Sequence, residues 1–468
     1  MQAADADGAM DSAFFSDLLA SIAERGRSVL RLTSWPKSAD NRAGSLVDLC
    51  SGLLTGRGEA SGVALASEIF ARYRTLADIE KAAFFRALAD DFGPDQKKVE
   101  EAVARFSGIR GVKAASELHY ASEPRRQELF RRLNRSPGGT AALVAMRANL
   151  LDSVREDAGL KVVDRDFAHL FASWFNRGFL VLKRIDWSTP ASILEKIIRY
   201  EAVHEIRDWD DLRRRIDSVD RRCYAFFHPA LVDEPLIFVE VALTQVPPEA
   251  IAPLLAEKRV HAPESKARVA VFYSISNCQR GLTGVSFGNF LIKQVVEEIR
   301  RDLPRIENFV TLSPVPEFRA WLESADDPAI ESLVAEARER ASDHAWPETP
   351  DKADRLRKAL EPLAAYYFLK ARGADGRVID PVARFHLGNG ARLERINWMG
   401  DLSAKGVFES YGIMVNYLYD LNEIEKNHEA FANQGAVVGS SGVKKLVPRA
   451  REKTAPSEHK ALANQRLT

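Results

Sequence analysis

The chain has 468 residues, more than one ordinary core serves, so two or three domains are expected at roughly 150 residues each. Hydrophobic residues make up 46% and charged ones 28%, which places it among soluble globular proteins rather than disordered or membrane ones. The 66 basic and 66 acidic residues cancel, so no global field draws nucleic acid or an anionic membrane, and any anionic ligand must be held locally.

No stretch reaches the ~18 uninterrupted apolar residues of a membrane span. Cys50, Cys223 and Cys278 are odd in number, scattered and without CxxC spacing, which argues against a disulfide framework and a structural zinc site. The first residues carry acids before any apolar stretch and no basic region, so neither a secretory nor a mitochondrial leader is expected. The last three, Arg466-Leu467-Thr468, are not a peroxisomal address. A cytoplasmic, bacterial setting follows as the expectation.

From about residue 12 to 185 the pattern is helical. Phe14, Phe15, Leu18, Leu19 and Ile22 recur at three and four, and similar stripes run through 76–91, 94–106, 123–134, 138–157 and 164–176. Breaks fall at FGPD (92–95), NRSPGGT (134–140) and WSTP (187–190). An all-α domain over 12–187 is predicted, with assembly or oligomerisation as its role.

Beyond Pro190 short β-rich runs appear at 223–228, 236–244 and 268–276, separated by helical stretches such as 248–257. Residues 326–372 return to charged helices broken by Pro347, Pro350 and Pro362, and the polar segment from 431 reads as a flexible tail. The predicted class is α+β: the helical N-terminal domain, then an α/β domain with helical insertions over 188–430, then the tail 431–468.

Two places can carry chemistry. After the 268–276 strand, a loop containing Gly281, Gly284 and Gly288 leads into the helical stretch from Leu291. Converging backbone N–H groups and a helix N-terminus there would suit a phosphate, although such a loop can also be a tight connection. Farther on, the run Asn308–Leu312 stops at Ser313, followed by Pro314 and Pro316. Proline keeps the preceding serine extended, so its hydroxyl stays at the strand exit, where it could equally cap the helical stretch 317–323. His386, between Phe385 and Leu387, and Tyr419 have packing as their alternative reading.

The string Asn308–Leu322 (NFVTLSPVPEFRAWL), together with 384–420 (RFHLGNGARLERINWMGDLSAKGVFESYGIMVNYLYD), resembles the malonyl-CoA decarboxylase family. The resemblance spans roughly 110 to 430 and is densest over 268–322 and 384–420. It implies that Ser313 is the catalytic serine of an LSPxPxF motif, that His386 in FHLxNGAxL is its catalytic partner, and that Tyr419 in NYxY belongs to the same site. Asn389 and Gly390 suit a tight turn after the histidine.

The Arg280-Gly281-x-x-Gly284 order is similar to the pyrophosphate loop of the GNAT acyltransferase fold. A GNAT-like catalytic domain is therefore implied, with coenzyme A or substrate contacts from Gln279, Arg280, Gly281, Gly284, Val285, Ser286, Gly288, Asn289 and Asn416, and with Lys293 as a further charge partner. One departure stands out: the family commonly has a glutamate in a GVELG string, where this chain reads Gly284-Val285-Ser286-Phe287-Gly288.

The implied reaction is loss of CO2 from malonyl-CoA to give acetyl-CoA, with the enolate stabilised and then protonated by His386, in malonate or fatty-acid metabolism. No metal or organic cofactor is implied, because the thioester carbonyl accepts the electrons. A homotetramer is the implied assembly. A GNAT-type acyltransferase and a non-catalytic coenzyme A-binding regulator are the alternative readings.

Overall fold

The computed structural model describes residues 42–55, 58–259, 261, 263–285, 291–343 and 345–448. The expected stripe at 12–22 lies outside them. Helices run at Arg42–Thr55, Glu59–Arg74, Asp78–Asp90, Gln96–Gly108, Val112–Ser122, Arg125–Asn134, Gly139–Glu156 and Lys161–Trp174, so the stripes from 76 to 176 each become a helix. The strands are β1 (Val181–Ile185), β2 (Arg221–Phe227), β3 (Pro235–Thr244), β4 (Val269–Asn277), β5 (Asn308–Thr311), β6 (Ser313–Pro314), β7 (Arg392–Asn397) and β8 (Met414–Leu418). The α+β class stands.

By contacts the chain divides into two compact units, Met1–Glu240 with Ser274–Val295, and Val241–Tyr273 with Val296–Thr468. The helical run does end near the change of texture at 187, but the division into units falls inside β3 and β4 instead.

In the first unit the helices pack through aromatic rings: Phe130 stacks on Phe167 at 4.0 Å, and Tyr73, Phe84 and Phe85 form a tilted trio. Each ring buries roughly 150–250 Å², which makes these contacts a main source of packing energy. Buried Arg126 is paired with Asp166, so its charge is not left alone in the core. Residues 181–185, read from sequence as helical, form β1, antiparallel to β2 from Val181↔Phe227 to Ile185↔Cys223. Five residues mixing Val, Leu and Ile with Lys and Arg fit either period, and pairing with β2 decides the outcome.

A polar cluster sits within the first unit's core. Glu240 on β3 is fully buried and meets Arg215 at 3.3 Å, while Arg215 also pairs with Asp211 at 3.3 Å. Burial, reinforced by the nearby negative charge of Glu201, pushes the Glu240 carboxyl up from 4.5 to about 8 despite Arg215.

In the second unit Ala242, Ile251, Val269, Val271, Tyr273, Val310, Leu312 and Met414 form a continuous core. β5 lies parallel to β4, and the chain between them carries the helix Leu291–Asp302, as a parallel connection requires. β8 pairs antiparallel with β5 at Val310↔Leu418, with β6 at Ser313↔Val415, and with β7 along its length around a bulge between Leu393 and Arg395.

Three further expectations change here. Residues 248–257 are helical only over Ala252–Leu255. Pro362 does not end its helix, which runs Pro350–Leu369, because Ala359, Leu360, Leu363 and Ala364 are all buried and hold it through the lost N–H. The tail expected from 431 is structured to 448: helix Ile424–Gln434 is followed by Ser440, whose N–H reaches the Leu393 carbonyl and whose hydroxyl caps helix Ser441–Leu446 above buried Val443.

The turn after helix Pro381–Gly388 needs glycine at 390, where φ is +84° and an added Cβ would lie 2.2 Å from the Ile424 carbonyl. Gly390→Ala is expected to destabilise by at least ~1–3 kcal/mol, the usual cost of forced backbone strain, read as a lowered thermal midpoint; an unchanged midpoint contradicts this packing.

Glu240 gives a pH expectation. Its folded value of about 8 exceeds its ordinary 4.5, so its contribution is full below 4.5 and is lost as pH rises through 8. Glu240→Gln, which mimics the protonated carboxyl, should therefore gain stability relative to the parent as pH rises across that window. Equal slopes in denaturant titrations at several pH values would refute it.

Candidate active site

The second unit brings together four groups from three distant stretches of sequence, Thr311 with Ser313, His386 and Tyr419. β5 ends at Thr311 and β6 begins at Ser313, so these side chains share one face of an extended chain. The Ser313 hydroxyl donates to Thr311 Oγ1 at 2.8 Å and lies 3.1 Å from His386 Nε2. On the other side of the ring, His386 Nδ1 is 2.8 Å from Tyr419 Oη. Ser313, His386 and Tyr419 thus converge, as the resemblance implies, and each is at most 4% exposed. Ser313 does not cap the following helix; that position belongs to Glu317, which makes no side-chain cap.

The local sequence explains the placement. Asp380 caps helix Pro381–Gly388 by accepting the Ala383 N–H at 2.8 Å, and Pro381 suits its first turn. Burial raises the Asp380 carboxyl to about 6, against the pull of backbone N–H groups that include Ala383. At the other end the His386 carbonyl accepts from both Asn389 and Ala391 N–H, so the turn at 389–390 pins the histidine's backbone. The ring lies over Tyr417, 4.7 Å between centroids at 24°.

Burial depresses the His386 imidazole from 6.5 to about 3, so it is neutral at physiological pH. The same desolvation raises the Tyr419 and Tyr417 phenols well above their usual range. The site therefore works with neutral donors and acceptors.

Asn416, expected to touch substrate, has its side chain committed to protein. Its Oδ1 accepts from Arg395 Nε at 3.0 Å and Asn397 Nδ2 at 2.9 Å, and its Nδ2 donates to the Thr311 carbonyl at 2.6 Å. It braces β8 against the end of β5, two residues before Ser313. Arg395 is itself fixed by Glu249 at 3.0 Å and by the Pro248 carbonyl at 2.9 Å. Thr311, Tyr417, Arg395 and Asn397 were not singled out from sequence. Thr311 has a signal in its position two residues before Ser313, and Tyr417, Arg395 and Asn397 lie inside the 384–420 string that carries the resemblance.

The glycine loop belongs to the first unit. Gln279 Nε2 donates to the Pro235 carbonyl at 3.1 Å, and Arg280 is paired with Asp152 and reaches the Ala148 carbonyl at 2.8 Å. Gly281 is a packing glycine: a Cβ there would lie 1.9 Å from the Val144 carbonyl, and its own carbonyl accepts Arg147 Nη1 at 2.8 Å. The N–H groups of Leu282, Thr283 and Val285 close turns within the loop, and Gly284 takes φ +76° with no atom of the described residues within 4 Å of where a Cβ would lie. Ser286, Gly288 and Asn289, with the position where the family commonly has glutamate, lie outside the described residues. Among the described residues no group of three or more His, Cys, Asp or Glu side chains is placed to hold a metal ion, and no helix is long and apolar enough to cross a membrane.

Comparison with known proteins agrees with the residues. The family model of the malonyl-CoA decarboxylase C-terminal domain matches residues 178–457, and that of the N-terminal domain matches 92–175. The crystal structure of malonyl-CoA decarboxylase from Rhodopseudomonas palustris is 56% identical, with TM-score 0.83, covering 86% of this chain and 99% of that one. The Agrobacterium vitis enzyme is 53% identical with TM-score 0.80, covering 86% and 100%. The mitochondrial malonyl-CoA decarboxylase of Anser anser anser is 35% identical over 423 residues, 82% of this chain and 83% of that protein. With both family models matched and the serine and histidine strings converging in one buried site, the chain belongs to the malonyl-CoA decarboxylase family of carboxy-lyases.

Proposed function

We propose that the chain converts malonyl-CoA to acetyl-CoA and CO2 at the site formed by Ser313, His386 and Tyr419. The observation that carries this reading is the 3.1 Å approach of Ser313 Oγ to His386 Nε2 across 73 residues of sequence. In the reaction the bond between the α-carbon and the carboxylate breaks, and its electron pair moves into the thioester carbonyl to give an enolate. A proton then adds to the α-carbon. The thioester is itself the electron sink, so the proposal needs no metal or organic cofactor.

Ser313 hydrogen-bonds the malonyl carboxylate or the thioester oxygen, and His386, backed by Tyr419, supplies the proton. An oriented donor at a developing oxyanion is typically worth ~3–4 kcal/mol, and general-acid protonation about 10²–10⁴-fold. A water-poor, neutral site favours the step, since a carboxylate loses solvation on entering it and regains freedom as CO2 leaves. Coenzyme A contacts are assigned to the loop 279–289. Asn416 serves by bracing Thr311.

The proposed assembly is a homo-oligomer, tetrameric by the family resemblance, and the proposed compartment is a bacterial cytoplasm, supported by the nearness to bacterial structures. Light scattering on the purified protein tests the assembly: four subunits are expected, and a monomeric mass rejects it.

Ser313→Ala and His386→Asn should each lower CO2 release from malonyl-CoA by about 10²-fold or more at normal folding, the range of a lost oxyanion donor or general acid. Wild-type rates in either variant would remove the assignment. The depressed imidazole adds a pH expectation. Its contribution to stability is present above 6.5 and lost as pH falls toward 3, and kcat should show no break centred on 6.5. A kcat profile with an inflection at 6.5 that disappears in His386→Asn would contradict a neutral histidine.

A further inference from the structure

Tyr419, His386, Ser313 and Thr311 form one row, with contacts of 2.8, 3.1 and 2.8 Å. A neutral imidazole carries one N–H, and each hydroxyl carries one hydrogen. Three contacts use all but one of these hydrogens, so the row has three self-consistent orders. In the first, Tyr419 donates to Nδ1, Nε2–H donates to Ser313, and Ser313 donates to Thr311. In the second every bond is reversed, Nδ1 carries the imidazole hydrogen, and Ser313 donates to Nε2 as an activated nucleophile would. In the third, Ser313 accepts from both Nε2–H and the Thr311 hydroxyl, which the direction of the Ser313–Thr311 bond excludes.

Two observations select the first order. The hydrogen bond between the two aliphatic hydroxyls runs from Ser313 to Thr311. The row also ends in a phenol, the most acidic hydroxyl present, next to the imidazole nitrogen, its most basic acceptor. Reversal would leave the phenol hydrogen without a partner among the described residues in a side chain only 1% exposed. Thr311 Oγ1 is held in place to receive the serine hydrogen, because it also accepts the Tyr417 N–H at 3.0 Å while Asn416 grips the Thr311 carbonyl.

We infer that Thr311 is a positioning residue that draws the Ser313 hydrogen away from His386, so that the resting histidine is the Nε2–H tautomer and Ser313 is a hydrogen-bond donor rather than a nucleophile. This rests on the proposed decarboxylation only for its consequence. When the enolate forms, its α-carbon takes the Nε2 hydrogen of His386 and the Tyr419 hydrogen passes to Nδ1. A proton from water then reaches Nε2 and the Nδ1 hydrogen returns to Tyr419, so the resting order is restored, the cycle consumes one proton and no covalent acyl-enzyme forms. Removing the Thr311 hydroxyl frees the Ser313 hydrogen to turn to Nε2 and shifts the tautomer balance toward Nδ1–H, against the remaining cost of the phenol hydrogen.

The test uses the full chain labelled with 15N-histidine, the His386 signals being assigned by their loss in His386→Asn. Wild type should show a hydrogen on Nε2 and a bare, hydrogen-bonded Nδ1, whereas Thr311→Val should show a measurable share of the hydrogen moved to Nδ1. Steady-state kinetics with malonyl-CoA should give a 10–100-fold lower kcat for Thr311→Val with KM within about threefold, and Thr311→Ser should restore most of it, as expected for a lost positioning interaction. A wild-type Nδ1–H tautomer, or a Thr311→Val kcat within twofold of wild type, overturns the inference. Thr311→Ser and the wild-type spectrum decide the matter if the valine variant does not fold. Wild type that shows the Nε2–H tautomer but releases no CO2 from malonyl-CoA would instead reject the decarboxylase reading and leave the hydrogen-bond order standing.

Discussion

The site depends on the burial of one imidazole. His386 lies beneath Tyr417 and against Tyr419, with 3% exposure, and the desolvation that keeps it neutral makes each of its hydrogen bonds directional. A charged imidazolium there would donate from both nitrogens and erase the difference between serine as donor and serine as nucleophile. In the proposed reaction neutrality therefore carries the chemistry, and the surrounding fold is what maintains it.

That fold holds the ring from several directions. Asp380 and Pro381 start its helix, the Asn389-Gly390 turn fixes the His386 carbonyl, and Gly390 lets that turn approach Ile424 closely. Opposite the ring, β8 leaves regular pairing between its contacts with β5 and β6. In that gap a side-chain oxygen of Thr311, not a backbone carbonyl, accepts the Tyr417 N–H. Thr311 and Ser313, two residues apart on the extended chain, face the same way beside that gap. Arg395 and Asn397 on β7 close the arrangement through Asn416.

Much of this was legible in the sequence, for physical reasons. Long helices with a strong three-and-four spacing, such as Gly139–Glu156, announce themselves because one face must be buried. The apolar runs that became β2, β3 and β4 were legible as buried strands. Short elements were not: β1 mixes apolar and basic residues at a spacing that suits either period, and β7 and β8 were hidden inside the string that carries His386. Pro362 reads as a break, yet packing on both sides of it outweighs one missing N–H. Within the site, Ser313, His386 and Tyr419 were found by resemblance, because nothing in local spacing marks a buried serine or histidine as reactive. Thr311 and the brace through Asn416 needed the register of β8, which depends on contacts more than a hundred residues apart.

The central claim is that Ser313 and His386 act as one unit on a thioester through a neutral, buried contact. A double-mutant cycle on CO2 release from malonyl-CoA, comparing Ser313→Ala, His386→Asn and the double variant, measures that coupling directly. Acting as a unit, they should give a double variant whose rate lies within about threefold of the slower single variant. Losses that multiply across the two substitutions would show two independent groups and contradict the account.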